Sequence, residues 1–155
     1  MEPEIITNSK MYLVGVIESG KSLSDVNIGK LWEKFETLEN QIKHEIPGIR
    51  YEIHIENKNS QPVRHFCFIG IEVEKIEDIP IEMFVKEIPE GEYVSFTHQF
   101  KDGGFKEAFE KIYTWLKNSK YKSSHPFDIQ SYDPSYKGPD DPNSEVEILI
   151  PVEEE

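Results

Sequence analysis

Cysteine is nearly absent from this chain of 155 residues, which limits the chemistry open to it. The single cysteine, Cys67, cannot form a disulfide within the chain, and its place inside an apolar run indicates a small core residue. Its Phe-Cys-Phe surroundings offer no obvious activating group, so a nucleophilic role is not expected. A reducing, cytoplasmic location fits this composition.

Long apolar runs and basic clusters are missing as well. The longest apolar stretches, such as 66–71, fall far short of the roughly 20 residues that a spanning helix needs, so a membrane protein is disfavoured. With 17 Lys and Arg against 30 Asp and Glu, the net charge is −13, and no compact basic run could follow a phosphate backbone. Direct nucleic-acid binding is therefore not expected. The acidic balance favours solubility first and attraction for cationic partners second.

Motifs of common enzymes and cofactor sites are also lacking. The five histidines show no metal-ligand spacing such as HExxH, although His54 and His65 could face each other across a hairpin. No Walker A loop, GxGxxG or GxSxG motif occurs. Neither a metal nor a cofactor is predicted.

What the chain does have is clear hydrophobic periodicity. Alternating residues predict strands at 11–18, 51–56, 66–73, 82–87, 92–99, 127–132 and 145–152. Spacings of three and four predict helices at about 28–42 and 105–116. Ser24 or Asp25 is expected to cap the first helix, and Pro47-Gly48 to end it. Turn residues fill 57–62, a long loop spans 133–143, and 153–155 is expected to be a solvated tail.

The order strand, helix, strand, strand occurs twice, at about 10–75 and 80–152. Each unit alone is too small for a good core, which predicts one pseudo-symmetric α+β domain over 1–155. Antiparallel hairpins should dominate, with both helices packed on one mixed sheet. Tyr51, Ile53 and Ile55 alternate with Glu52 and its neighbours, which predicts a strand with one wet face. A groove is expected where the two halves meet.

Glu147 is the leading candidate for chemistry. Strand periodicity places it on the same face as Leu149, well inside the last strand. If that face is covered, the carboxylate is desolvated and needs a cation or a hydrogen-bond donor, as a ligand anchor or a general base would. An ordinary water-facing glutamate on an edge strand is the open alternative.

Aromatic residues are the second candidate feature. Tyrosine and tryptophan cluster on and after the second helix, at Tyr113, Trp115, Tyr121, Tyr132 and Tyr136. Aromatic rings around a carboxylate would bind a flat or cationic organic molecule by stacking and cation–π attraction. Four other rings at helical spacing are predicted to be core residues: Trp32, Phe35, Phe105 and Phe109.

Three segments together resemble a known family. IPEGEYVSFTH at 88–98 is similar to the IPAGxYAVFxH strand of GyrI-like, or bacterial effector-binding, domains. YTWL at 113–116 follows at the expected distance, and EILIPV at 147–152 resembles the family's closing ExxIPV strand. The resemblance implies two tandem strand-helix-strand-strand units and a small-molecule pocket between them. It implies that Glu147 of the closing strand meets hydrophobic, often cationic, ligands there, beside Tyr113 and Trp115.

The resemblance leaves three functions open. Regulatory members carry this domain behind a DNA-binding helix-turn-helix region, as the AraC-type regulators do, whereas here the first predicted strand begins near Tyr12, so a stand-alone domain is expected. Such a domain could sense or sequester amphipathic, cationic or aromatic xenobiotics. It could instead hydrolyse electrophilic toxins, with Glu147 as base and Tyr113 as acid. A protein-interaction role such as gyrase inhibition is the third, supported only by the acidic charge.

Overall fold

The computed structural model describes residues 2–57, 59 and 61–155, which form nine strands and two α-helices. The strands are β1 (Glu4–Asn8), β2 (Met11–Gly20), β3 (Glu45–Asn57), β4 (Arg64–Val73), β5 (Phe84–Ile88), β6 (Gly91–Gln99), β7 (Tyr121–Ser123), β8 (Phe127–Tyr132) and β9 (Glu145–Glu154). The helices are α1 (Ile28–Leu38) and α2 (Phe105–Lys117). The predicted α+β class is confirmed. Within the described residues, no helix is long and apolar enough to cross a membrane.

Several local predictions need correction. The side chain of Asn27, not Ser24 or Asp25, caps α1 by accepting a hydrogen bond from the Lys30 backbone N–H at 3.1 Å. Helix α1 ends at Leu38, because a 3-10 turn at Glu39–Gln41 follows it directly. Ser24 and Asp25 belong to an earlier 3-10 turn.

The observed ends of some helices and strands also differ from the predicted ones. Pro47 and Gly48 lie inside β3 and do not end a helix. Gly48 has a φ of +120°, a conformation that favours glycine, where the pairing of β3 with β4 is irregular. Glu153 and Glu154 pair with β7 as the end of β9, so the expected tail is strand. The hairpin of β3 and β4 is present, although Lys58 and Ser60 of its predicted turn lie outside the described residues.

The strand order repeats in the two halves of the sheet. The order is β1-β6-β9-β8-β3-β4-β2-β5, with β7 also paired to β9. In each half the last strand of the unit pairs with both the first strand and the strand that follows the helix. Those middle strands of the two units, β3 and β8, then pair with each other at the centre. This arrangement is the tandem repeat that the sequence predicts.

Every strand pair among the described residues is antiparallel, which confirms the predicted dominance of antiparallel hairpins. The sheet is antiparallel and not mixed, since none of these pairs is parallel. The reason lies in the connections through the helices. Helix α1 joins β2 to β3, but β4 lies between those strands and is antiparallel to both. Helix α2 joins β6 to β8 in the same way, across β9.

The sheet is strongly curled. Strand β5 is at one end of the strand order and β6 is next to the other end, yet only two residues, Pro89 and Glu90, separate them. Because consecutive Cα atoms are only about 3.8 Å apart, those two ends of the sheet must be close in space. Leu13 of β2 and Tyr93 of β6 accordingly share one buried cluster on the face away from the helices.

Both helices pack on the other face of the sheet. Phe35 of α1 is buried against β2 and β4, whereas Ile112 of α2 is buried against β6 and β9. Each helix therefore covers its own unit. The central strands β3 and β8 lie between the two covered regions, which leaves a space above them.

Candidate functional site

A cavity of about 830 Å³ occupies the space between α1 and α2, over the centre of the sheet. Its floor comes from β3, β4 and β8, and polar side chains dominate it: Glu52, His54, His65, Asp128 and Gln130. Its walls carry five aromatic rings: Trp32, Phe105, Phe109, Tyr132 and Tyr136. The volume lies within the range of about 300–1,000 Å³ typical of small-molecule sites.

Strand alternation and register create the polar floor. Glu52 and His54 are two residues apart in β3, so both point to the helix-bearing face. Across the strand pair, Gln130 lies opposite Glu52 and Asp128 lies opposite His54. The sequence predicts that this face of β3 meets water, and for Glu52 and His54 that prediction is wrong. The two side chains are only 6% and 8% exposed, because this face of the strand borders the cavity.

Glu52 is the centre of a hydrogen-bonded cluster. Trp32 Nε1 donates to Glu52 Oε1 at 2.7 Å, and His54 Nε2 donates to Glu52 Oε2 at 2.6 Å. His54 Nδ1 lies 3.2 Å from Nε2 of His65, so a proton is shared between the two rings. The two imidazoles thus do face each other across the hairpin, as the sequence allows. Both oxygens of the Glu52 carboxylate have a donor.

The electrostatics of the two histidines differ. Burial by itself lowers the pKa of His54, but the hydrogen bond to Glu52 and the negative charges of Glu52 and Asp128 raise it above its ordinary value overall. Burial and the charge of His54 lower the pKa of His65, although Glu56 acts in the opposite direction. A proton on this pair therefore favours His54, where it forms an ion pair with Glu52.

Asp128 is the second carboxylate of the floor and is held differently. Its Oδ1 is buried and has no hydrogen-bond partner among the residues that the structure describes. Burial raises the pKa of Asp128 to about 6, with Glu52 adding to the increase and His54 opposing it. The floor therefore holds one carboxylate with both oxygens paired and one with an unpaired oxygen.

The aromatic walls come from helical spacing and from the loop after β8. Trp32 lies edge-on to Tyr132, with ring centroids 5.7 Å apart, and Tyr132 lies edge-on to Tyr136 at 4.6 Å. Phe105 and Phe109 are one helical turn apart on α2 and face the same space. The prediction of core positions holds for Phe35, which is fully buried, but Trp32, Phe105 and Phe109 line the cavity.

The long loop at 133–143 forms part of this wall. Pro134, Tyr136 and Pro139 line the cavity, and the Tyr136 ring also contacts Phe100 at 6.0 Å. The backbone N–H of Lys137 donates to Ser144 Oγ, which ties the middle of the loop to its end. The loop thus contributes apolar surface to the cavity.

Glu147, the leading candidate from the sequence, lies on the other face of the sheet. It is opposite Thr97 and Ser131 in register, whereas Ile148 shares the helix-bearing face with Gln130. Its Oε2 accepts a hydrogen bond from Ser95 Oγ at 2.7 Å. A carboxylate inside the last strand does have a donor, as its pattern predicts, but the cavity is on the opposite side. The ligand-binding role of Glu147 stays a prediction.

Neither Tyr113 nor Trp115 lines the cavity. Tyr113 is 50% exposed, stacks on Phe109 with ring centroids 6.2 Å apart and lines a shallow surface depression with it. Burial and the charges of Asp128 and Glu56 raise the pKa of Tyr113. Trp115 packs on the apolar cluster under α2 and borders a separate depression with Pro3. The structure does not bring these residues together with Glu147. The ligand-binding roles of Tyr113 and Trp115 and the catalytic role of Tyr113 stay predictions.

Three side chains on the floor could in principle hold a metal ion. Glu52, His54 and Cys67 offer ligand atoms within 4.8 Å of one another, and all three are buried. Burial raises the pKa of the Cys67 thiol far above its ordinary value, which keeps the sulfur protonated. Glu52 and His54 also bind each other directly. The geometry is that of a hydrogen-bonded cluster, and the expectation of no metal stays a prediction.

Sequence reasoning missed Glu52 and Asp128 for a physical reason. A strand that faces water and a strand that faces a polar cavity show the same alternation of charged and apolar residues. The available signal was the position of β3 as the middle strand of its unit, since the middle strands meet at the centre once the two units combine.

Comparison with known proteins identifies the family. Residues 1–153 match the family model described as the GyrI-like small molecule binding domain. This chain belongs to the GyrI-like family. The resemblance drawn from the three sequence segments is thereby confirmed, and so is the domain's general role as a small-molecule-binding domain.

Relatives of the chain include regulators and single-domain proteins. The chain is 31% identical over 156 aligned positions to the transcriptional regulator BrlR of Pseudomonas aeruginosa PAO1, covering 98% of this chain and 56% of BrlR. A solved structure of SAV2435 bound to tetraphenylphosphonium matches 99% of this chain and 94% of its own, with 16% identity and a TM-score of 0.73. EcmrR in a DNA complex matches 99% of this chain and 58% of its own, with 13% identity and a TM-score of 0.75. The two structures share the fold of this GyrI-like domain.

Proposed function

We propose that this GyrI-like domain binds amphipathic organic cations with aromatic bodies in the cavity between α1 and α2, and so senses or sequesters such compounds. The observation that carries the proposal is Glu52, a carboxylate only 6% exposed on the floor of a cavity with aromatic walls. The cavity holds the hydrophobic body, and Glu52 supplies the counter-charge.

The physical basis is the strength of charge interactions away from water. Glu52 is surrounded by aromatic and polar side chains instead of solvent, so a cation placed near it is attracted more strongly than at an exposed carboxylate. The rings of Trp32, Tyr132 and Tyr136 add attraction between the cation and their π faces. The His54 ring already donates a hydrogen bond to Glu52, so an organic cation shares the carboxylate with that donor.

Three relatives support the choice of ligand and role. SAV2435 was solved with tetraphenylphosphonium, a cation with four phenyl rings. BrlR is a transcriptional regulator and EcmrR was solved on DNA, which supports a sensing role for the domain that they share with this chain.

Tetraphenylphosphonium is the probe that tests the proposal. Isothermal titration would compare the wild type with Glu52→Gln, and with Glu153→Gln as a matched change of an exposed glutamate on the same sheet. We expect Glu52→Gln to weaken binding at least about tenfold and Glu153→Gln to leave it within about twofold. Thermal unfolding of each variant would verify the fold. No binding to the folded wild type would overturn the proposal.

The same titration distinguishes Glu52 from Glu147. Glu147→Gln removes the carboxylate predicted from the sequence but leaves the cavity side of the sheet intact. A loss confined to Glu147→Gln would transfer the anchor to that residue and remove Glu52 from the site. The hydrolase and gyrase-inhibitor alternatives stay predictions, for which assays of turnover and of DNA supercoiling are the direct tests.

A further inference from the structure

Asp128 differs from every other carboxylate described around the cavity. Its Oδ1 is buried without a hydrogen-bond partner among the described residues, and its side chain lines the cavity. Glu52, two residues from the His54 that faces Asp128, has a donor on each oxygen. In the described part of the site, only Asp128 therefore combines an unpaired, shielded oxygen with a partly exposed side chain that lines the cavity.

Two donors on the cavity lining have other partners in the described structure. His54 lies opposite it in register, but its two ring nitrogens contact Glu52 and His65. Arg50 also borders the cavity, and its guanidinium donates twice to Glu39. A buried acceptor without a donor costs about 1–3 kcal/mol, more when it is charged. Because the side chain borders the cavity and rotation about χ2 exchanges the two carboxylate oxygens, a ligand in the cavity can offer the missing donor.

We propose that Asp128 is the acceptor for an N–H group of a bound amine, so that the cavity prefers protonated aromatic amines to quaternary cations of the same shape. The proposal rests on the proposed function and names the ligand class of that site. Glu52, whose oxygens already have donors, attracts positive charge without requiring a particular donor from the ligand. Asp128 supplies the directional contact, which a tetra-alkyl or tetra-aryl cation cannot satisfy.

The expected selectivity follows from the asymmetry of hydrogen bonding. A site with a buried polar group discriminates strongly against an analogue that leaves this group unpaired. An apolar cavity alone distinguishes two cations that differ by one methyl group only weakly. Selectivity for the N–H therefore reports on Asp128 and not on the aromatic walls.

The experiment compares diphenhydramine, a protonated tertiary amine near neutral pH, with its N-methyl quaternary salt. Titrations of both compounds at about pH 7.5 give the affinity ratio for the wild type, Asp128→Asn, and Asp102→Asn as an exposed control outside this cavity. We expect the wild type and Asp102→Asn to bind the amine at least about tenfold more tightly, and Asp128→Asn to reduce the ratio below about threefold. The loss of the Asp128 charge weakens the binding of both cations alike, so its effect cancels in the ratio of the two affinities.

The outcomes separate the two proposals. Asp128→Ala is measured beside Asp128→Asn, because the asparagine carbonyl can still accept an N–H whereas alanine has no acceptor. A wild-type ratio near one, or a ratio unchanged in Asp128→Ala, overturns the role of Asp128 while Glu52-dependent tetraphenylphosphonium binding keeps the proposed function. No binding of any of the three cations overturns the proposed function itself. If Asp128→Asn does not fold, the comparison is made with Asp128→Ala alone.

Discussion

Glu52 keeps a negative charge almost out of water by accepting hydrogen bonds from two different elements. Trp32 donates from α1 and His54 donates from β3, so the carboxylate connects the wall of the cavity to its floor. Charge-assisted hydrogen bonds of this kind are stronger than neutral ones. The orientation of Trp32 is therefore part of the site and not only of the core.

Trp32 provides an optical test of where a ligand binds. Tetraphenylphosphonium in the cavity would contact Trp32, whereas Trp115 lies on the far side of α2. We expect Trp115→Phe to retain the ligand-induced change in tryptophan fluorescence and Trp32→Phe to lose most of it. Trp32→Phe should also weaken binding several-fold, because Glu52 Oε1 loses its donor. A signal that disappears only with Trp115→Phe would place the ligand elsewhere.

Asp128 makes a prediction about stability and pH. Its pKa rises from 3.8 to about 6 on folding, so the folded state binds more protons between these values and stability falls as pH rises through this window. Asp128→Asn has no such proton. We expect the variant to exceed the wild type in free energy of unfolding by up to about 3 kcal/mol near pH 7.5, and by much less near pH 4.

Urea unfolding at both pH values measures this difference. The variant keeps His54, whose pKa the Asp128 charge helps to raise, so the difference reports Asp128 together with its coupling to His54. An equal difference at both pH values would mean that Asp128 is not protonated in the folded state near pH 4 to any greater extent than in the unfolded chain.

At the scale of elements, hydrophobic periodicity predicts most helices and strands and their order along the chain, but not what each face of a strand contacts. The alternation of Tyr51, Ile53 and Ile55 correctly predicts β3, since it depends only on neighbouring residues. Which face of β3 meets water depends on β8, more than 70 positions along the chain in register, and on the two helices above the pair. The local sequence pattern carries no information about either contact, so it predicts that the cavity-facing side of β3 meets solvent.

Short strands escaped prediction for a related reason. Strand β1 has five residues and β7 has three, too few for a periodic pattern to stand out. Each is a strand because a partner is available, β6 for one and β9 for the other. The candidate site also depends on both local and distant contacts. The sequence predicts a carboxylate among aromatic rings, but the placement of Glu52 in that role depends on how the two units meet.

The loop at 133–143 makes a prediction at this scale. Tyr136 packs on Tyr132 and Phe100, so it closes one side of the cavity without belonging to the main core. We expect Tyr136→Ala to weaken tetraphenylphosphonium binding about tenfold, mainly through faster dissociation, and to change the melting temperature little. Ser135→Ala, an exposed neighbour in the same loop, is the control. Slower association with unchanged dissociation would contradict a closing role.

At the scale of the whole molecule, the two units are interlocked. Strand β1 precedes the first unit but pairs with β6 of the second, and β5 precedes the second unit but pairs with β2 of the first. This exchange connects the ends of the curled sheet, while β3 and β8 join its centre. The cavity therefore lies on the pseudo-symmetry axis, where neither helix covers the floor, and both units must fold to form it.

The net charge of −13 acts on a cationic ligand before it reaches the cavity. The field of exposed carboxylates extends about 30 Å at 0.01 M salt and about 8 Å at 0.15 M salt, so added salt weakens the attraction during approach. Inside the cavity, Glu52 is shielded from ions by burial. We expect the association rate of tetraphenylphosphonium to fall several-fold over this range while its dissociation rate stays within about twofold.

Stopped-flow fluorescence measures both rates, with triphenylphosphine oxide as an uncharged aromatic control whose association should not depend on salt. If salt changed mainly the dissociation rate, the bound cation would have to lie close to solvent ions, which is incompatible with a site at Glu52. If the neutral control slowed equally, the effect would belong to the protein's conformation and not to its charge. If salt slows association and leaves the dissociation rate unchanged, the acidic surface accelerates ligand capture. The buried carboxylate then accounts for how long the ligand stays bound.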